Sequence, residues 1–293
     1  MRKVIISVAP TPALSASIDP AGLAEEVIVA GRAGAAMVHM HVRDRTGKLT
    51  DDMDVYQDTV ERITKDSDIV IQASTGGLSD LTIQQRCAPL SYDKVETVSL
   101  NVGSLNLGEA IYRNPIRDVR YCVEQMINHG KIPEIEIFEL GMIHTVLELD
   151  RDYSLPKPLM FDLVLGHPGG APATIDALIA LRSLVPHDAL WGITHANRMD
   201  YCIISAAIAM GASLVRIGFE DSDYLNRDRR AAHNAELVSK VADIIHAMEL
   251  EVASPEDAGK SSVPRSGPWT KRTWLSQRSA KCLHYPYSSM VRF

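Results

Sequence analysis

Eight times along the chain a short apolar run empties into a polar or glycine-bearing turn, and a stretch of helical period follows. The runs are Lys3–Ala9, Ala35–Val42, Asp68–Ala73, Val95–Leu100, Glu134–Phe138, Leu159–Leu165, Ala189–Thr194 and Ser213–Gly218. They are near-continuous in Val, Ile, Leu and Ala, the pattern of strands covered on both faces. Between them the spacing predicts helices from Pro20 to about Gly31, over Asp51–Lys65, Thr82–Ala88, Ile116–His129, on to about Leu149, then over Ala173–Leu184 and Met199–Met210. A long closing helix is predicted over Asp228–Leu250. Strand–helix units in this number predict an all-parallel sheet closed into a (β/α)8 barrel, the TIM-barrel architecture. An open doubly wound sheet also alternates, but no G-x-G-x-x-G follows the first run.

No linker or repeat divides the chain before Asp257, so residues 1–257 read as one catalytic barrel domain. From Ala258 to Phe293 the character changes. That stretch is basic, has no acidic residue and holds Trp269 and Trp274, two of the three tryptophans. It reads equally as an extension wrapping a neighbouring subunit, a poorly ordered tail, or an altered reading frame at the gene's 3′ end.

Composition narrows the function classes. With 293 residues the chain can bury a large core, and 46% hydrophobic with 23% charged residues is ordinary for a globular protein. A net charge of -7 argues against a nucleic-acid surface. Cys87, Cys122, Cys202 and Cys282 lack C-x-x-C spacing and read as reduced thiols in a cytoplasmic protein. The first residues lack the apolar length of a signal peptide, and no run approaches a membrane span.

The second run carries the candidate chemistry. In Met37-Val38-His39-Met40-His41-Val42-Arg43-Asp44 the histidines stand two apart, so on a strand they share one face near its C-terminal end. Two converging imidazoles supply two neutral nitrogen ligands for a divalent metal. Barrel enzymes place their chemistry on the loops that follow the strands. The polar residues fall there: Ser74 and Thr75 after strand three, Ser99 and Asn101 at strand four, Glu136 on strand five, His167 after strand six, and Arg216, Glu220 and Asp221 at strand eight. Strands eight and two flank strand one, so Glu220 can approach the histidines. Two His and one Glu with an open position is a catalytic zinc arrangement.

The ordered set Val38-His39-Met40-His41-Val42-Arg43-Asp44, Ser74-Thr75-Gly76-Gly77, Ser99-Leu100-Asn101-Val102-Gly103-Ser104, Glu134-Ile135-Glu136-Ile137-Phe138-Glu139 and Val215-Arg216-Ile217-Gly218-Phe219-Glu220-Asp221 resembles the β-keto acid cleavage enzymes. The resemblance runs from about Lys3 to Asp257. It implies a zinc-dependent barrel that joins a β-keto acid to acetyl-CoA, releasing acetoacetate and a new acyl-CoA. It implies that His39, His41 and Glu220 hold the metal and that Arg216 and Asp221 manage proton transfer beside it. Ser74, Gly77, Ser99, Asn101 and Glu136 match the positions that hold the keto acid's carboxylate and reacting carbons, with Ser74 counted among the catalytic residues. A homo-oligomer, a tetramer foremost, is also implied.

One departure bears on substrate. Members that cleave aminohexanoates resemble Thr-Gly-Ala-Glu after the first strand, where this chain has Thr11-Pro12-Ala13-Leu14. Leu14 cannot pair with an ammonium, so a keto acid with a neutral or apolar side chain is expected. The competing readings are a metal-dependent hydrolase or aldolase on the same barrel, working without CoA, and a non-catalytic metabolite-binding protein.

Overall fold

The computed structural model describes residues 1–13 and 17–262. Leu14 and the stretch beyond Ser262, with Trp269 and Trp274, lie outside the described residues. Eight parallel strands follow one another round the sheet: β1 (Lys3–Val8), β2 (Met37–Met40), β3 (Val70–Ser74), β4 (Thr97–Asn101), β5 (Ile132–Ile137), β6 (Met160–Leu165), β7 (Leu190–His195) and β8 (Leu214–Ile217). β8 also pairs with β1, Arg216 opposite Ser7, which closes the barrel. The predicted (β/α)8 fold is the observed one.

The helices are α1 (Pro20–Arg32), α2 (Asp54–Asp66), α3 (Ile83–Arg86), α4 (Ile116–Asn128), α5 (Leu140–Tyr153), α6 (Ile175–Leu184), α7 (Cys202–Ala209), α8 (Asn234–Ala247) and α9 (Pro255–Ser262). Local signals set their starts. Asp19 caps α1 by accepting from the N–H groups of Ala21 and Gly22, with Pro20 at the first position. Thr82 and Gln85 form a reciprocal capping box that starts α3.

Strand alternation divides the apolar residues into two sets. Val4, Ile6 and Val8 of β1 join the large core under the helices. Ile5, Met37, Val70 and Leu214 form a separate cluster inside the barrel at its N-terminal end, closed by Ala253 and by Ala258 of α9. Further along the axis the interior turns polar, with buried Ser7, Gln72, Thr97, Glu134, Asp162 and Thr194.

One expectation is corrected. The closing run is not one helix from Asp228 to Leu250: Tyr224–Asn226 pairs antiparallel with Arg229–Arg230, and α8 starts only at Asn234. The cause is side-chain pairing that periodicity cannot register. Arg230 binds Asp223 at 2.7 Å and lies over the Tyr224 ring, while the N–H of Asp228 donates to Asn226 Oδ1 at 2.9 Å. The connection after β4, for which the sequence offered no reading, holds a hairpin in which Leu105–Leu107 pairs with Ala110–Tyr112 and turns at Gly108.

Candidate active site

The mouth at the C-terminal ends of the strands gathers the polar residues. His39 lies within β2 and His41 one residue past its end; their rings stand nearly perpendicular with centroids 5.3 Å apart. Glu220 reaches them from the turn after β8. That turn is hooked to the end of β1: the N–H of Ala9 donates to Ile217 O at 2.9 Å, and the N–H of Glu220 donates to Ala9 O at 3.1 Å. Gly218, at φ 151°, makes the approach possible, because a Cβ there would run into the backbone of Ala9. Barrel closure therefore delivers Glu220 to the histidines, its Oε1 3.4 Å from His41 Nε2 and 3.7 Å from His39 Nε2.

One donor atom from each of His39, His41 and Glu220 lies within 4.8 Å of the others. Ligands about 2.1 Å from a tetrahedral divalent ion stand roughly 3.4 Å apart, so this set needs little movement to close on one. His39 is already prepared as a ligand. Its Nδ1–H donates to Gln72 Oε1 at 2.7 Å, which turns the Nε2 lone pair toward Glu220, with Arg216 Nη1 3.5 Å from it. Burial first, then the charge of Arg216, push its pKa down to about 4, so the ring is neutral at pH 7. His41 keeps a buried Nδ1 without a protein partner. Burial alone would raise the Glu220 carboxyl, but His41, His39 and Arg216 outweigh it and hold it below the usual carboxylate range.

Arg216, buried at the end of β8, ties the rest together. It grips Asp221 with both prongs, Nη2 to Oδ1 at 2.7 Å and Nε to Oδ2 at 3.1 Å. Its Nη1 donates to Glu136 Oε1 at 3.0 Å, and Nη2 approaches Glu220 Oε1 at 3.5 Å. Asp221, Glu220 and Glu136 overcome the cost of burying the guanidinium and raise its pKa. Burial raises Glu136 against the pull of Arg216. The carboxyl groups of Asp221, Glu220 and Glu136 thus gather round one guanidinium, and a divalent cation would offset surplus negative charge there.

The remaining predicted residues line the other side. Ser99 Oγ donates to Ser74 Oγ at 3.3 Å, and the N–H of Gly76 donates to the same oxygen at 3.2 Å. Asn101 accepts from the N–H of Gly103 at 2.8 Å and leaves a buried Nδ2 without a partner. Gly77, at φ 114°, lies against the His41 ring and Leu49, its N–H donating to Tyr112 Oη at 3.1 Å. All ten residues singled out from the sequence thus sit around one mouth. His167 joins them above Phe138, ring centroids 5.7 Å apart.

Sequence reasoning missed Gln72, Tyr112 and the buried pair Glu134 and Asp162. Thr194 Oγ1 donates to Asp162 Oδ2 at 2.6 Å, whereas Glu134 Oε1 and Asp162 Oδ1 have no partner. Burial raises both pKa values, the charge of Asp162 adding to it at Glu134 and those of Glu136 and Asp221 at Asp162. A polar residue inside a strand predicted as fully buried was the signal for all but Tyr112, since such a group must find a partner.

The chain matches the family model described as beta-keto acid cleavage enzyme over residues 3–261. It is 32% identical to the 3-keto-5-aminohexanoate cleavage enzyme of Fusobacterium nucleatum over 238 residues, 80% of this chain and 86% of that one. It is 28% identical to the 3,5-dioxohexanoate:acetyl-CoA acetone transferase of Paraburkholderia graminis, covering 88% and 94% of the two chains. Among solved structures, ObcA in ternary complex with a C4-CoA adduct and oxalate superposes with a TM-score of 0.73. That match has 21% identity, covers 85% of this chain and 67% of the other, and speaks for the shared fold.

Proposed function

Since this chain belongs to the beta-keto acid cleavage enzyme family, we propose that it is a zinc-dependent transferase exchanging acyl groups between a neutral β-keto acid and acetyl-CoA. R–CO–CH2–COO⁻ and CH3–CO–S-CoA become CH3–CO–CH2–COO⁻ and R–CO–S-CoA. The chain is an enzyme of the general type that handles β-keto acids and CoA. The observation that carries the finer reading is the His39–His41–Glu220 cluster set beside the Arg216–Asp221 pair at the mouth of the barrel.

His39, His41 and Glu220 would hold the zinc ion. When bound, the ion supplies Lewis-acid polarisation of the ketone and stabilises the enolate that carbon–carbon cleavage leaves. Asp221 is assigned as the base that takes a proton from the carbon between ketone and carboxylate and later returns it to acetoacetate. The two-pronged grip of Arg216 aims that carboxylate and keeps it from rotating away. Glu136 fixes the opposite side of the guanidinium. Ser74, Ser99 and Asn101 offer neutral hydrogen-bonding groups for the keto acid, and Asn101 Nδ2 is a buried donor awaiting an acceptor.

Leu49, packed over Gly77 beside His41, supports a neutral or apolar side chain on the substrate. We further read the protein as a cytoplasmic homo-oligomer, with a tetramer the first expectation. The exposed Ile175 and Ile179, one turn apart on α6, support an intersubunit surface. Among the described residues no helix is long and apolar enough to cross a membrane.

The test is an assay of zinc-loaded protein with acetyl-CoA and a panel of β-keto acids, reading acetoacetate, with His41→Ala as control. Acetoacetate that requires acetyl-CoA and is lost in His41→Ala supports the proposal. Substrate turnover without acetyl-CoA favours a hydrolase or aldolase. A preference for amino-bearing keto acids refutes the neutral-substrate reading.

A further inference from the structure

Hydroxyl accounting at the Ser74–Gly77 turn identifies a group that the sequence did not. A hydroxyl has one proton to give and two lone pairs to receive. Ser74 Oγ receives the N–H of Gly76 at 3.2 Å and the hydroxyl of Ser99 at 3.3 Å, so its own proton points elsewhere. Tyr112 Oη receives the N–H of Gly77 at 3.1 Å and meets the side-chain amide of Asn114, whose Oδ1 is taken by Arg86, so its own proton has no acceptor among the described residues. Burial first, then the nearby Glu136, raise the Tyr112 pKa, so the phenol stays protonated and can donate.

The two hydroxyls share a neighbourhood. A Cβ built on Gly76 would fall on the Tyr112 hydroxyl and lie 3.4 Å from Ser74 Oγ. A Cβ on Gly77 would touch the His41 ring at 3.6 Å, which places the turn beside the metal cluster. The glycines let both hydroxyls approach the backbone this closely.

The phenol is also held in place. Its ring stands edge-on to Phe138, centroids 6.0 Å apart. The hairpin that carries it is pinned on one side by the N–H of Gly108 donating to Pro168 O at 3.0 Å. On the other side Arg86 bonds Thr75 O and Asn114 Oδ1, each at 2.6 Å, and so ties the turn to the residues just after Tyr112. Little ordering entropy remains to be lost when a ligand arrives.

We propose that Tyr112 contacts the substrate, its phenol and the Ser74 hydroxyl forming a two-pronged donor for the keto acid's carboxylate. The proposal rests on the keto-acid reading above and names the group that recognises the acid end. No proton is transferred; both hydroxyls hold the anion while the ketone faces the metal cluster.

The experiment compares Tyr112→Phe with wild type, both zinc-loaded, by calorimetric titration with acetoacetate and with 2,4-pentanedione, a chelating diketone that lacks the carboxylate. Phenylalanine keeps the ring against Phe138 and removes only the hydroxyl. Acetoacetate is expected to bind about tenfold more weakly to the variant, with pentanedione unchanged. In turnover, KM for the keto acid rises about tenfold while kcat moves little. Ser74→Ala should show the same selective loss. Equal acetoacetate affinity in Tyr112→Phe and wild type overturns the proposal. So does an equal loss of both ligands, which marks Tyr112 as a prop for the turn. If wild type binds neither ligand and forms no acetoacetate, the keto-acid reading fails before the variant is measured, and this proposal falls with it.

Discussion

Replacing Gln72 by leucine should weaken metal binding without touching a ligand. Gln72 lies on β3 in the barrel interior, fully buried, and its Oε1 accepts from His39 Nδ1 at 2.7 Å. Leucine matches its volume closely, so packing loss is small, but the Nδ1–H of His39 loses its acceptor in a site that water reaches poorly. Leaving a buried donor unmatched costs about 1–3 kcal/mol. The ring can escape that cost by moving its proton to Nε2, the nitrogen that faces Glu220, and in that tautomer the metal-facing lone pair is gone. Either way the cost falls on metal binding. An effect of about 1.4–2.7 kcal/mol corresponds to a 10- to 100-fold weaker affinity, the range expected when a ligand histidine loses its orienting partner. Competition for zinc against a chromophoric chelator measures it directly. Gln72→Leu should release zinc at 10- to 100-fold lower chelator strength. Affinity in Gln72→Leu equal to wild type would refute the orienting role and with it the tautomer assigned to His39.

Two further predictions follow from the buried charges. His39, with a pKa of about 4 against an unfolded value near 6.5, is a depressed base, so the unfolded chain binds the extra proton between those pH values. Its contribution to stability is complete above about pH 6.5 and is lost as pH falls toward 4, at most about 3 kcal/mol. Urea unfolding of metal-free wild type and His39→Asn, at pH 7 and pH 4.5, should show the wild type losing more on acidification; parallel loss would contradict the buried neutral ring. Arg216→Lys keeps the charge but replaces a fork with a point, so Asp221 loses one of its two bonds and Glu136 its partner. We expect kcat to fall by about 10²-fold or more with zinc content unchanged; wild-type turnover in this variant would remove Arg216–Asp221 from the chemistry.

The sequence made the architecture legible because each barrel strand is a closed apolar run and each run ends in a turn. The same regularity made the site legible. Once strands are known to alternate, His39 and His41 must share a face, and once the barrel closes, β8 must lie beside β1 and bring Glu220 and Arg216 with it. Gln72 was harder to see because its partner is a histidine 33 residues away whose own role had to be known first. Tyr112 was hidden with its hairpin: strands of three residues, exposed along Asn106 and Ile111, carry too little hydrophobic pattern to register. The stretch from Tyr224 to His233 misled for the opposite reason. Its charged residues are compatible with a helix face, and only the pairing of Arg230 with Asp223 and Tyr224 turns them into a hairpin.

The apolar plug at the N-terminal end of the barrel, where Ile5, Met37, Val70 and Leu214 meet Ala253 and Ala258, closes that end among the described residues and leaves the mouth at the strands' C-terminal ends as the one doorway to the site. Two reactants using one doorway have to queue. In the proposed reaction the smaller keto acid would therefore enter first, beside His39 and Ser74, and the bulkier thioester second. In that reaction the acyl-CoA would leave before acetoacetate. The floor of the barrel, which takes no part in the chemistry, would in this way set the order of the catalytic cycle.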